Sequence, residues 1–172
     1  MLVDHQKCDV VYFNCHESVN TAYISDFKAR IFNDSEGFPR INMSGNLLVD
    51  MQKVSIIFWL KGKTDQRVRE YDRVYVSANI DTCKASQGVI ANFIASNVLR
   101  YLKDYTNILL QCPFKRGFYY VKNFPMMTDR DLPKYNLPKI GHFVFKSIIN
   151  GRPVNGKKGV HLWSSEIFGG HT

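Results

Sequence analysis

From Thr21 to Phe32 the chain alternates. Tyr23, Phe27, Ala29 and Ile31 fall on one side of an extended strand, and Ile24, Asp26, Lys28 and Arg30 on the other, mostly polar side. Glu36-Gly37-Phe38-Pro39 breaks the run, and Ile41, Met43 and Leu47 resume it in a second strand, with Asn46 as an expected bend. Met51 to Lys61 carries the strongest strand signal, setting Val54, Ile56, Phe58 and Leu60 against Ser55, Ile57, Trp59 and Lys61. After the turn at Lys61 to Asp65, the segment Val68 to Cys83 opposes Val74, Val76, Ala78 and Ile80 to Arg73, Tyr75, Ser77 and Asn79, as a hairpin partner would. These four strands are expected to form a meander.

The period then changes. Between Ser86 and Tyr105, apolar residues recur at Ile90, Phe93, Ile94, Val98, Tyr101, Leu102 and Tyr105, a spacing near the ~3.6 residues of a helical turn. Ser86 is available as a cap, and Arg100 and Lys103 suit the C-terminal end. Short strands follow at Phe118 to Val121, His142 to Asn150 and Gly159 to Phe168; the last two read as a hairpin around Asn150-Gly151-Arg152-Pro153 and Asn155-Gly156. In it Phe143 and Phe145 point opposite to Val144 and Lys146. Phe124 to Pro138, with three prolines, reads as a long irregular loop bordering a cavity mouth. The expected fold is mainly β: an antiparallel β-sandwich or β-cup with one amphipathic helix over about 86–105, in a single domain spanning 1–172.

Composition sharpens this picture in two places. Twelve Phe and nine Tyr sit among β-branched neighbours, which favours strands. The formal charge of +8 suits an acidic partner, nucleic acid or anionic lipid. Yet its densest cluster, Lys61, Lys63, Arg67 and Arg69, lies far from Lys115-Arg116 and Lys157-Lys158. Scattered charges of this kind read as solvated loops. The basic and aromatic run Phe114 to Tyr120 resembles a base-stacking surface only weakly and is equally a strand with a basic turn, so no nucleic-acid partner is expected.

Four cysteines, Cys8, Cys15, Cys83 and Cys112, are an even number without a C-x-x-C pair, which makes disulfides the leading reading. Cys8 and Cys15 can join only if the chain between them turns back, since seven extended steps span roughly 23 Å against a limit near ~7 Å; otherwise Cys15 reaches a distant strand. Sequons at Asn33 and Asn42 fit a secreted, glycosylated product. Met1 to Cys8 holds no apolar signal-peptide core, so secretion supposes a mature form or a start lying elsewhere.

Catalytic and metal signatures are missing. The five histidines form no H-E-x-x-H or comparable ligand spacing, and the sequence has no G-x-S-x-G, P-loop or G-x-G-x-x-G. Asp129 and Asp131, flanking Arg130 in the long loop, read as solvated rather than as an acid/base pair. Neither an enzyme, a metal site nor a cofactor is expected.

From Cys83 onward the order of features resembles a large insect family of secreted domains of unknown function, allied to the CheB-type chemosensory proteins and more distantly to the ganglioside activator protein. The resemblance rests on Asn79-Ile80-Asp81-Thr82-Cys83, the helix, Asn107 to Pro113, Gly117 to Phe124 and Leu137 to Phe143, about half the chain. It implies a lipid-recognition β-cup with an apolar space between two sheets, and a disulfide from Cys83 to Cys112 across the helix. Such a bridge would be worth on the order of 3–4 kcal/mol in the chain-entropy model.

Three functions follow as expectations. The first is a secreted carrier of a lipid-like or other apolar molecule, in chemosensory or pheromone presentation, with Phe58, Leu60, Phe93, Ile94, Phe143 and Phe145 lining the space and a membrane receptor as a candidate partner. The same six side chains would otherwise simply fill a core. The second is a protein-interaction module with a solid core, and the third, weakest, a basic nucleic-acid binder.

Overall fold

A computed structural model describes residues 14–63, 67, 70–88, 96, 99–100, 102–108, 111–126 and 142–170. Among the described residues eight strands and one short helix follow in the order β1 (Asn14–Val19), β2 (Ile24–Asn33), β3 (Pro39–Leu47), β4 (Met51–Gly62), β5 (Arg73–Asp81), α1 (Thr82–Ser86), β6 (Gly117–Pro125), β7 (His142–Pro153) and β8 (Val160–Gly170). They form two antiparallel sheets, a five-stranded one in the order β1-β8-β7-β4-β5 and a three-stranded one in the order β2-β3-β6. The mainly-β sandwich expected from the alternation is the fold observed. Among the described residues no helix is long and apolar enough to cross a membrane.

The expected four-stranded meander is corrected. β2 and β3 pair, and β4 and β5 pair, but the two hairpins lie in different sheets. Alternation specifies which face of a strand is apolar, not which neighbour it takes. Here the chain crosses between layers at Leu48–Asp50. Asp50 accepts the Arg116 amide at 2.8 Å and the Lys115 ammonium at 3.1 Å, while Met51 exchanges backbone hydrogen bonds with Phe114. With that crossing held, β4 is free to take β7 on its second edge and β3 to take β6.

Local departures have similar causes. Asn46 is no bend: it lies inside β3, and its amide donates to Asp26 at 2.9 Å. Asp26 itself holds a positive φ of 52°, where the pairing of β2 slips between Ser25 and Lys28. The bulge leaves Phe27 and Ile31 facing inward. A second bulge between Leu60 and Lys61 turns Val74 to the outer face, where it is 51% exposed, and brings Tyr75 against Leu60.

The helix expected over 86–105, capped by Ser86, is corrected at its start. Asp81 is the N-cap: its carboxylate accepts the amides of Cys83 and Lys84 at 3.0 and 3.3 Å, and Lys53 reaches its other oxygen at 2.7 Å. Ser86 instead donates back to the Cys83 carbonyl at 2.7 Å. α1 ends at Ser86, with Gln87 as its C-cap and Gly88 following at φ +79°. Ser96, Leu99, Arg100 and Leu102 are helical again, whereas residues 89–95 lie outside the described residues. So do residues 127–141, which hold most of the expected loop, with Asp129 and Asp131; Phe124 and Pro125 belong to β6.

Candidate functional site

Directly opposed residues of an antiparallel pair share a face. The registers of the five-stranded sheet therefore define its inner surface row by row. One row runs Leu60, Phe145, Ile167; the next runs Ala78, Phe58, Ser147, Ser165, Glu17; a third runs Ile80, Ile56, Ile149, Trp163, Val19. Contacts across the layers confirm the direction. Ile167 packs on Ile31 and Ile41 of the smaller sheet, with Phe145 and Phe124 against the same cluster, and the Phe27 and Trp163 rings lie 6.1 Å apart.

The smaller sheet is too narrow to roof all five strands. It covers the β8 and β7 side, and a helical residue covers part of the remainder: Leu99, 5% exposed, packs on Phe58, Ala78 and Ile80. The Cys83–Cys112 disulfide, with Cα atoms 5.3 Å apart, ties this flank down, since the helical residues lie between its two ends. At the edge of the roof, Asn107 caps β6 by accepting the Tyr120 amide at 2.8 Å and donating to the Phe118 carbonyl at 2.9 Å. That edge is closed to further pairing there.

Four of the six expected lining residues come together on the floor. Phe58 and Phe145 have ring centroids 6.1 Å apart, and Phe143 and Phe145 both pack on Leu60. Phe93 and Ile94 lie outside the described residues. Phe58 and Leu60 are buried, whereas Ile56, Tyr75, Val76, Phe143 and Phe145 are only half-buried although they belong to the same inward-facing surface. Solvent therefore reaches apolar side chains between the layers at the β4, β5 and β7 end.

The pattern of apolar residues missed the polar part of this interior. Ser147 and Ser165, 7% and 3% exposed, bond to each other at 2.9 Å. Beside Ser165 stands Glu17, whose carboxyl burial pushes up to about 7. Trp163, 6% exposed, keeps its indole Nε1–H without an acceptor among the described residues. The signal was present as serines interrupting Phe143, Phe145, Ile149 on β7 and Trp163, Ile167 on β8 at period two.

Asn33 is exposed at the end of β2; Asn42, on the outer face of β3, accepts the Asn123 amide through Oδ1 at 2.6 Å. Cys8 lies outside the described residues, and of Cys15 only the backbone is described, paired with Ile167. Lys146 pairs with Glu166 directly opposite it, and the Lys63 ammonium sits 5.2 Å from the Tyr71 ring centre. Among the described residues no group of His, Cys, Asp and Glu is arranged to hold a metal ion.

These features define a class: a two-layer antiparallel β-sandwich with a disulfide-tethered helical flank and an inner face that is apolar except for one polar strip. The chain belongs to the family described as protein of unknown function DUF1091, which matches residues 60–145, half its length. No curated protein matches it.

Proposed function

We propose that this is a non-catalytic binding protein that holds an apolar, lipid-like small molecule between its two sheets. The observation that carries the reading is the half-burial of Phe143, Phe145, Ile56 and Val76 on an inward-facing surface. A solid core buries such side chains fully, because each apolar ångström squared removed from water contributes roughly 25 cal/mol. Rings that face inward and still meet solvent are surface that an apolar guest can cover. Leu99 on its tethered segment and Ile31 and Ile41 of the smaller sheet form the opposing wall.

The setting we infer is extracellular. A structural disulfide persists in an oxidising compartment. The sequon residues Asn33 and Asn42 stand on the outer surface, where glycans would leave the interior untouched. Presentation of the bound molecule to a membrane receptor, as in chemosensory or pheromone signalling, is the role consistent with such a carrier. The test is titration with a neutral polarity-sensitive dye, N-phenylnaphthylamine, followed by displacement with long-chain lipids. Saturable one-to-one binding with displacement supports the carrier. No saturable signal would leave a solid-cored interaction module as the reading.

A further inference from the structure

The interior of the sandwich holds two polar groups that its own hydrogen bonding leaves unused. The first is the Trp163 indole N–H, buried without an acceptor among the described residues. The second is the Glu17 carboxyl, removed from much of its water, with no hydrogen bond or ion pair to any described group. A buried donor without an acceptor is costly and calls for an explanation, and a half-buried carboxyl beside it with no partner of its own is a ready acceptor.

Register places the two together. Glu17 is directly opposite Ser165, and Trp163 is two residues along β8 from Ser165 on the same face. Opposed residues stand about 5 Å apart and residues two apart in a strand about 7 Å. Backbone positions this close leave room for one small polar group to bond both side chains. The neighbouring Ser147 and Ser165 hydroxyls use one proton on each other, leaving a single spare donor between them. Past this strip lie Phe145 and Ile167 in one direction and Phe27 across the layers. The polar strip is thus continuous with the apolar floor.

We propose that Glu17 and Trp163 anchor the hydroxyl of a neutral single-chain amphiphile, such as a long-chain alcohol, whose chain lies along the apolar inner face. This rests on the carrier reading above and adds the chemical class of the ligand. A hydroxyl accepts from the indole N–H and donates to the carboxylate, satisfying both at once. An ether or ester accepts only and leaves Glu17 unpaired. A carboxylate ligand brings a second negative charge against Glu17, and no described cation lies there to offset it.

Binding of dodecanol, dodecyl methyl ether, dodecane and dodecanoate, measured by dye displacement at pH 8, separates these cases. Dodecanol is expected to bind about tenfold tighter than its methyl ether. Trp163→Phe should lower dodecanol affinity about tenfold and dodecane affinity far less, with an unchanged far-UV circular dichroism spectrum showing that the variant is folded. Glu17→Gln should raise dodecanoate affinity about tenfold by removing the like charge. Equal binding of alcohol and ether, with dodecanoate indifferent to Glu17→Gln, would overturn the anchor and leave the carrier standing. Binding of none of the four would overturn both.

Discussion

Glu17 and Asp81 show how opposite surroundings move two carboxyls in opposite directions. Glu17 has burial acting on it and nothing charged to oppose it, so it rises from 4.5 to about 7. For Asp81, burial is outweighed by the Lys53 ammonium and the Lys84 and Cys83 amides, which hold it below the usual carboxylate range. The folded state thus binds a proton at Glu17 more tightly than the unfolded chain does. Its contribution is present below the unfolded value and lost as pH rises from about 4.5 to about 7. Discounted for the solvent that still reaches an edge strand, the loss is about 1–2 kcal/mol. Urea unfolding near pH 5 and near pH 8 should show Glu17→Gln flattening this slope; a slope identical to wild type would mean that Glu17 is as hydrated as in the unfolded chain. Asp81→Ala removes an N-cap and an ion pair and should destabilise by about 1–2 kcal/mol at neutral pH, read as a lower denaturation midpoint. Neither residue was legible as what it is. In the sequence Asp81 reads only as part of the run Asn79-Ile80-Asp81-Thr82-Cys83 and Glu17 carries no signal, because capping and desolvation depend on neighbours that periodicity does not name.

At the scale of elements, the strands that alternate cleanly were legible together with their faces. β4 and β7 point Phe58, Leu60, Phe143 and Phe145 inward as their period-two pattern requires. β1 was not foreseen, since Cys15, His16, Glu17 and Ser18 lack an apolar alternation and only Val19 marks the inner face. It is a strand because β8 offers it an edge, a tertiary fact. The division of β2–β3 from β4–β5 was likewise invisible, as strand partners depend on long-range closure rather than local pattern. The disulfide spans the helical residues described between β5 and β6, closing a separation of 29 residues. Replacing both Cys83 and Cys112 by Ala should cost about 3–4 kcal/mol through greater freedom of the unfolded chain. A denaturation midpoint unchanged from wild type would show that the bridge constrains neither state. With Leu99 released, ligand affinity should fall as well.

For the whole molecule, a wide sheet faces a narrow one, and among the described residues part of the difference in width is made up by a tethered helical flank. That arrangement leaves inward-facing rings within reach of solvent, and it is why the fold class was readable while the ligand space was only an expectation. Two tryptophans report on it from opposite sides: Trp163 on the inner face and Trp59 on the outer face of the same sheet. A saturating chain-brominated alcohol quenches indole fluorescence only at close contact, so single-tryptophan variants locate it. Trp59→Phe, which keeps Trp163, should be strongly quenched, and Trp163→Phe, which keeps Trp59, should not. Quenching confined to Trp59, or absent from both variants, would contradict a guest between the sheets.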